Sequence, residues 1–473
     1  MARMSESSGP HGSLRILLLG LVCLALALPS SALSQDQTRL DDPSRKTEII
    51  QEIARLLEAH YVLPDEAQAF ADALRARHSS GAYDRNVNAG DFAEAVTADL
   101  VDITGDSHVQ LRVIDASDLE EDTESPLHHP IRLTRLGQTE HLGFRKLEWL
   151  PGNVGYLDLI RFYPISESKK MVDGAMRFLS TADAVIIDLR DNGGGACEGL
   201  SYWCSFFLPY PTQLTSYYAR GDDFLTEFWT MEDVGGGRLR DVPLFLLTSK
   251  RTFSASEMLA YDMQVYGRAT LVGEATGGGA NSVDLFPIDG QFEIYISTSR
   301  AINPLTADNW EGVGVIPDVA VPSESALDTA IVLATAAGQE NARIREENLG
   351  TDIGEMELLM ARAEASFRHG RTEEAAAALD SLIEVGERAG LMSDFFLDLL
   401  SYSYLSESDE PVLIPLLRKK AQLFPSSDAY EALGYAYQMF GNTELAIESY
   451  GKALEMNPAA RNAAKMIRRL RGG

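Results

Sequence analysis

Positive charge, cysteine and long apolar runs are all scarce in this chain, and each scarcity removes a class of explanation. Lysine and arginine number 41 against 70 aspartates and glutamates, a formal net charge of −29. Phosphate backbones need a basic face, so nucleic acid is not an expected partner; the acidity serves solubility. Of the three cysteines, Cys23 follows Val22 where a lipoprotein signal wants a small residue. Cys197 and Cys204, on one expected helix, would sit about 10 Å apart by helical rise, beyond the roughly 7 Å that a disulfide spans. Stability must therefore come from a buried core. No apolar run approaches the roughly 18 residues of a membrane helix. No His-Glu-x-x-His zinc signature occurs either, so no metal or cofactor is expected. Lysine is absent between Lys250 and Lys419.

The one apolar run of note is N-terminal. Arg3 and Arg15 precede Ile16 to Leu28, then come Pro29 and "SSALS", the layout of a signal peptide cut near Ser34. Residues 1–34 are read as that signal, with export to the periplasm or beyond and no membrane span. Residues 35–46 form a linker. At 473 residues, 45% hydrophobic and 23% charged, the chain has room for two or three globular domains.

Residues 47–113 read as a helical lobe. Ile49, Ile50, Ile53, Leu56 and Leu57 share one helix face, and Phe92, Val96, Leu100 and Ile103 follow a capping pair, Asp91 and Glu94. "TGDSHVQLRV" is a turn into a strand, and "DASDLEEDTESPL" is an exposed acidic loop. From 128 to 337 the texture is α/β: "NVGYLDLI", "ADAVIIDL", "VPLFLL" and "ATLVG" are compact apolar runs separated by helical stretches, as buried strands read. "VDLFPIDGQFEIYIS" is a hairpin turning at Asp289 and Gly290. Residues 338–355 form a polar linker. From 356 to 473 everything is helical, and Tyr430, Leu433, Gly434, Tyr437, Gly441, Ala446, Tyr450, Ala453 and Pro458 fall at the offsets of a tetratricopeptide repeat. Looser repeats begin near 356 and 394, with Gly370 and Ala375 matching Gly441 and Ala446. Such stacks commonly bind peptides or proteins in a concave groove. The basic last helix, from Arg461 to Arg471, would cap the stack with a solvated face.

Chemistry could live at "KRTFSASEML". Ser254 followed by Glu257 is a capping box, and capping alone would justify both residues. The alternative is a nucleophile: a serine between a buried strand and the first turn of a helix has an exposed Oγ, free neighbouring amides and the positive helix end facing its target, which suits acyl transfer. "DLRDNGGGA" follows another strand. Gly193, Gly194 and Gly195 let backbone N–H groups approach a ligand oxygen, as an oxyanion hole requires, although a plain turn reads the same way. A serine nucleophile needs a base, and with no downstream lysine the candidates are histidines. His11 is in the signal; His60, His78 and His369 lie in helical or linker settings; His128 and His129 border the acidic loop. His108 stands at the start of a strand behind Gly105 and Asp106. A lone histidine in a turn is more often structural, and the residues alone do not join His108 to Ser254.

Taken together, "GDSH", "GNVGYLDL", "DLRDNGGG", "TFSASE", "GEATGG" and "WEGVGVIPD" resemble, in order and spacing, the tail-specific (C-terminal processing) peptidases, in the branch containing the tricorn core protease and the interphotoreceptor retinoid-binding protein. The resemblance covers residues 47 to about 322. It implies a crotonase-like α/β core and makes Ser254 the nucleophile. Ala255 would supply one oxyanion amide, and Gly194 or Gly195 the other. Two departures stand out: Gly279 replaces the family's lysine, and no PDZ domain fits between 113 and 150. The tricorn-like branch instead uses a serine–histidine–serine–glutamate tetrad, which maps onto Ser107, His108, Ser254 and Glu311. His108 would take the Ser254 proton, Ser107 would orient the second catalytic face, and Glu311 would hold Ser107. The implied activity is an exported serine peptidase acting on peptides or proteins, with repeats that recruit substrate or partners. The alternatives are a non-catalytic carrier of apolar ligands on the same fold, or a repeat-based interaction module.

Overall fold

The computed structural model describes residues 40, 42–114, 128–220, 224–407 and 409–472. The expected signal peptide and the expected acidic loop fall outside them. Two compact units emerge, 1–341 and 342–473. Among the described residues no helix is long and apolar enough to cross a membrane.

The first unit opens with three helices. Asp42 caps α1 (Pro43–His60), its carboxylate accepting the Ser44 amide at 2.9 Å, and Pro43 brings a preset φ to the first helical position. Ile49, Ile50, Ile53, Leu56 and Leu57 are buried on one face. After α2 (Pro64–Ser79) comes α3 (Ala89–Thr104), whose cap is Asn88, accepting from the Asp91 amide at 2.7 Å. The expected capping pair, Asp91 and Glu94, is thus corrected: the cap lies three residues earlier, at Asn88, and both acids lie within the helix. Gly105, at φ +68°, ends α3 in a left-handed C-cap. The turn through Asp106, Ser107 and His108 then feeds β1 (Gln110–Val113).

Two sheets follow. Helix α4 (His128–Thr139) leads into β2 (Phe144–Leu150), β3 (Val154–Leu159), α5 (Ile165–Leu179) and β4 (Ala184–Asp188). A short helix, α6 (Leu200–Cys204), precedes β5 (Gln213–Ala219), β6 (Phe224–Trp229) and β7 (Leu244–Thr248). Then come α7 (Ala255–Val265), β8 (Ala269–Gly273), β9 (Ser282–Ile288), β10 (Phe292–Ile302) and β11 (Val319–Ala320). The larger sheet runs β11-β8-β7-β4-β3-β2. Its strands are parallel except β2, which pairs antiparallel with β3. Every residue of β3, β4 and β7 is buried, which is why these runs carry no polar alternation. The other sheet runs β1-β10-β5-β6 with β9 on the free side of β10. The β9–β10 hairpin turns at Asp289 and Gly290, both at positive φ. The pairing of β5 with β6 was not anticipated. Cys197 lies in a 3₁₀ turn and Cys204 ends α6; neither is in a disulfide.

Helix α8 (Ser323–Arg368) turns the expected 338–355 linker into continuous helix. The second unit continues through α9 (Thr372–Arg388), α10 (Asp394–Glu407), α11 (Glu410–Leu423), α12 (Ser427–Met439), α13 (Thr443–Met456) and α14 (Arg461–Leu470). Gly370 and Gly441 take the same left-handed role, at φ +72° and +82°, immediately before α9 and α13. Leu433, Tyr437, Ala446, Tyr450 and Ala453 belong to one buried cluster. A Cβ on Gly434 would lie 3.0 Å from the Tyr450 ring, so glycine is what lets α12 and α13 meet this closely.

Candidate active site

Three hydroxyls fasten the turn after β7 to the turn after β4. Ser249 Oγ donates to the Arg190 carbonyl at 2.6 Å, Thr252 Oγ1 to that of Leu189 at 2.8 Å, and Ser256 Oγ to that of Asn192 at 2.7 Å. Serine and threonine hydroxyls suit this work because they satisfy buried carbonyls without needing a ladder. The same turn forces Ser254 to φ +56°, ψ −122°, a strained conformation for a residue with a Cβ, costing about 1–3 kcal/mol.

Ser254 is the N-cap of α7 and its side chain faces the Glu257 amide in a capping box, but that amide donates to the Ser254 carbonyl at 2.9 Å and Oγ makes no full cap hydrogen bond. The reciprocal half of the box is made, with Glu257 Oε2 accepting the Ser254 amide at 2.7 Å. Glu257 also accepts from the Thr276 hydroxyl and from the amides of Gly278, at 2.7 Å, and Gly279, at 2.9 Å. It therefore ties the serine turn to the loop between β8 and β9. Burial pushes its carboxyl up to about 7 despite these four donors.

Gly194 presses against the serine. A Cβ there would lie 2.9 Å from Ser254 Cβ and 3.1 Å from the Ala255 nitrogen, and its φ is +104°. Its own amide donates to Asn192 Oδ1 at 2.9 Å, while its carbonyl accepts from Phe162 and the Ala196 amide bonds the Phe162 carbonyl. Among the described residues, the amides of Gly195 and Ala255, next in sequence to Gly194 and Ser254, have no protein acceptor. Of the two glycines named from sequence, Gly195 keeps a free donor and Gly194 does not.

His108 arrives from the other sheet. Its ring lies on Phe253, the neighbour of Ser254, with centroids 4.6 Å apart. A Cβ on Gly279 would stand 2.6 Å from His108 Cε1 and 2.5 Å from Phe253 Cε2. The histidine and phenylalanine thus fill the space next to 279, and a lysine there would have to displace them. No hydrogen bond joins His108 to Ser254 in this structure. His60 and His78 are engaged elsewhere, stacked on Phe286 and Tyr83.

The Nδ1 edge of His108 faces acid. Nδ1 is buried without a partner and lies 3.9 Å from Asp106 Oδ1. Burial holds the imidazole below its ordinary value, with the Asp106 charge pulling the other way. Glu311 Oε2 accepts the amides of Ala280, at 2.6 Å, and Asn281, at 2.8 Å. Burial, with the charge of Asp106, pushes Glu311 up to about 8. The expected Glu311–Ser107 contact is not made: Ser107 Oγ and Glu311 Oε1 are both buried without partners. Glu311 instead lies with Asp106 and His108, their ligand-type atoms within 4.8 Å of one another. The 3.9 Å between His108 Nδ1 and Asp106 Oδ1 exceeds the roughly 3.4 Å between neighbouring ligands of a tetrahedral zinc, so the group reads as an acid–base cluster. Asp106 was missed in sequence although it sits two residues before His108; nothing local showed that it would be fully buried.

Residues 153–321 match the family model "Peptidase family S41", and residues 30–140 match "N-terminal domain of Peptidase_S41 in eukaryotic IRBP". The chain is 29% identical to a carboxyl-terminal-processing protease of Picosynechococcus sp. over 171 residues, 36% of this chain and 40% of the relative. It is 33% identical to its counterpart in Synechocystis sp. over 174 residues, 36% and 39% of the two chains. It thus spans about two fifths of the length of these relatives. The solved photosystem II D1 C-terminal processing protease is loosely similar, with a TM-score of 0.39 and 15% identity over 62% of this chain and 94% of that one.

Proposed function

We propose, from the match of residues 153–321 to the model of peptidase family S41, that the chain is an exported serine peptidase with a crotonase-like core and tetratricopeptide repeats. One observation carries the reading: Ser254 is held in a strained turn with its hydroxyl uncommitted, beside two free amides and a buried histidine. Strain kept at a residue whose side chain bonds nothing is economical only if that side chain has other work.

In the proposed reaction Ser254 Oγ attacks a peptide carbonyl while His108 takes its proton. The oxyanion forms against the amides of Ala255 and Gly195, each such donor typically contributing about a hundredfold or more. Collapse breaks the C–N bond, and the proton on His108 passes to the departing amine. Water, deprotonated by His108, then releases the acid product and restores Ser254. The helical unit would supply partner recognition. Phe395, Leu399 and Tyr402 recur along one side of α10 and stay largely exposed, a surface suited to extended apolar peptide.

The test is covalent labelling. A fluorophosphonate added to the full chain at neutral pH should modify Ser254, identified by peptide mapping, and His108→Ala should reduce the labelling rate by at least about a thousandfold. Folded protein that remains unlabelled would dismiss the peptidase reading. Stoichiometric recovery of an apolar ligand from both the wild type and Ser254→Ala would replace it with the carrier reading.

A further inference from the structure

We propose that Asp106 carries the negative charge that orients His108 and supports its protonated form, with Glu311 as the proton-bearing member of the same carboxyl pair. This rests on the peptidase reading and reassigns the division of labour that the family resemblance implies, in which Glu311 acts through Ser107.

The placement of oxygens argues for it. Asp106 is fully buried, and its Oδ1 accepts the backbone amide of His108 at 2.9 Å. The carboxylate is therefore clamped to the residue it serves, with Nδ1 3.9 Å from that oxygen. Its Oδ2 faces the Tyr61 hydroxyl at 3.4 Å and Asn281 Nδ2 at 3.3 Å. Both oxygens thus look toward donors, as an ionised carboxylate requires. Glu311 differs. Oε2 takes two amides, but Oε1 is sealed from water with nothing bonded to it. A bare carboxylate oxygen in that position is costly, whereas an O–H there becomes a donor for Asp106.

No cation offsets the pair: among the described residues neither acid makes an ion pair with lysine or arginine. The titratable groups around His108 are Asp106 on its own turn, Glu311 on the loop after β10, Tyr61 after α1, and Glu257, whose field reaches Glu311 through the 276–279 loop. With acids on several sides and no base but His108 itself, holding one proton between two carboxyls is the least costly arrangement. Burial and the Asp106 charge both favour protonated Glu311.

Two variants of the full chain decide it, each checked for an unchanged circular-dichroism spectrum and melting transition. Asp106→Asn keeps an oxygen for the His108 amide but removes the charge, and should slow fluorophosphonate labelling by about a thousandfold to ten-thousandfold. Glu311→Gln keeps a donor toward Asp106, and should slow labelling by only about tenfold. In wild type, the ring nitrogens of isotope-labelled His108 should report a second ionisation near pH 8, which Glu311→Gln abolishes. A loss in Glu311→Gln as large as that in Asp106→Asn would overturn the assignment, and so would an unchanged pH 8 step in Glu311→Gln. If Asp106→Asn fails to fold, the Glu311→Gln rate and ring titration still decide. The ring titration also stands if the wild type never labels, which would count against peptidase activity and not against the proton's location.

Discussion

Gly279→Ala adds one methyl group where the structure has no room for it. The new Cβ would meet Phe253 Cε2 at 2.5 Å and His108 Cε1 at 2.6 Å, whereas unstrained carbon contacts begin near 3.5 Å. Gly279 itself has an ordinary backbone with no positive φ, so the whole penalty is side-chain overlap. Its neighbours must retreat by about 1 Å. Overpacking of this kind costs about 1–3 kcal/mol, and a base displaced by about 1 Å costs about a hundredfold in rate. Labelling kinetics and urea denaturation of the full chain would measure both. Phe253→Leu in the Gly279→Ala background should recover part of each loss, with a coupling of about 0.5–3 kcal/mol. Wild-type labelling and stability in Gly279→Ala, or strict additivity in the double variant, would refute the account of His108 and Phe253 sharing the space beside 279.

Three further outcomes are expected. Ser254→Gly should abolish labelling yet raise stability in urea, by up to about 1–3 kcal/mol of relieved backbone strain less about 0.5–1 kcal/mol of added chain entropy. The raised carboxyls of Glu257, to about 7 from 4.5, and Asp262, to about 6 from 3.8, contribute stability that is fully present only below their unfolded values and is lost as pH rises through the folded ones. The urea midpoint of the first unit should therefore fall between about pH 4 and pH 7, and Asp262→Asn should remove the part of that fall between about pH 4 and pH 6. Gly434→Ala should destabilise the second unit by about 1–3 kcal/mol through the contact with Tyr450, leaving labelling of Ser254 unchanged.

The parallel strands were legible because burial on both faces removes the polar alternation: β3, β4 and β7 read as largely apolar runs, with Asp158, Asp188 and Thr248 near their ends. The β9–β10 turn was legible because Asp289 and Gly290 are types that accept positive φ. Strand β5, "QLTSYYA", was not. Its polar residues are satisfied by distant groups, such as Thr215 bonded to Asp262 of α7 at 2.7 Å, which no local window contains. The 338–355 stretch looked like a linker because it is polar, but polarity does not break a helix, and Arg343 with Glu347 supports one at i,i+4 spacing. At the site, serine and glycine announced themselves through their turns. Asp106 did not, because its importance comes from complete burial and from partners such as Tyr61 and Asn281 that only the fold brings near.

The crowding at 279 also has a historical meaning. If the lysine typical of the relatives was once present there, it could not simply return, since His108 and Phe253 now occupy its way in. Restoring it would require at least one of them to shrink first, and shrinking His108 would remove the imidazole that packs beside the serine turn.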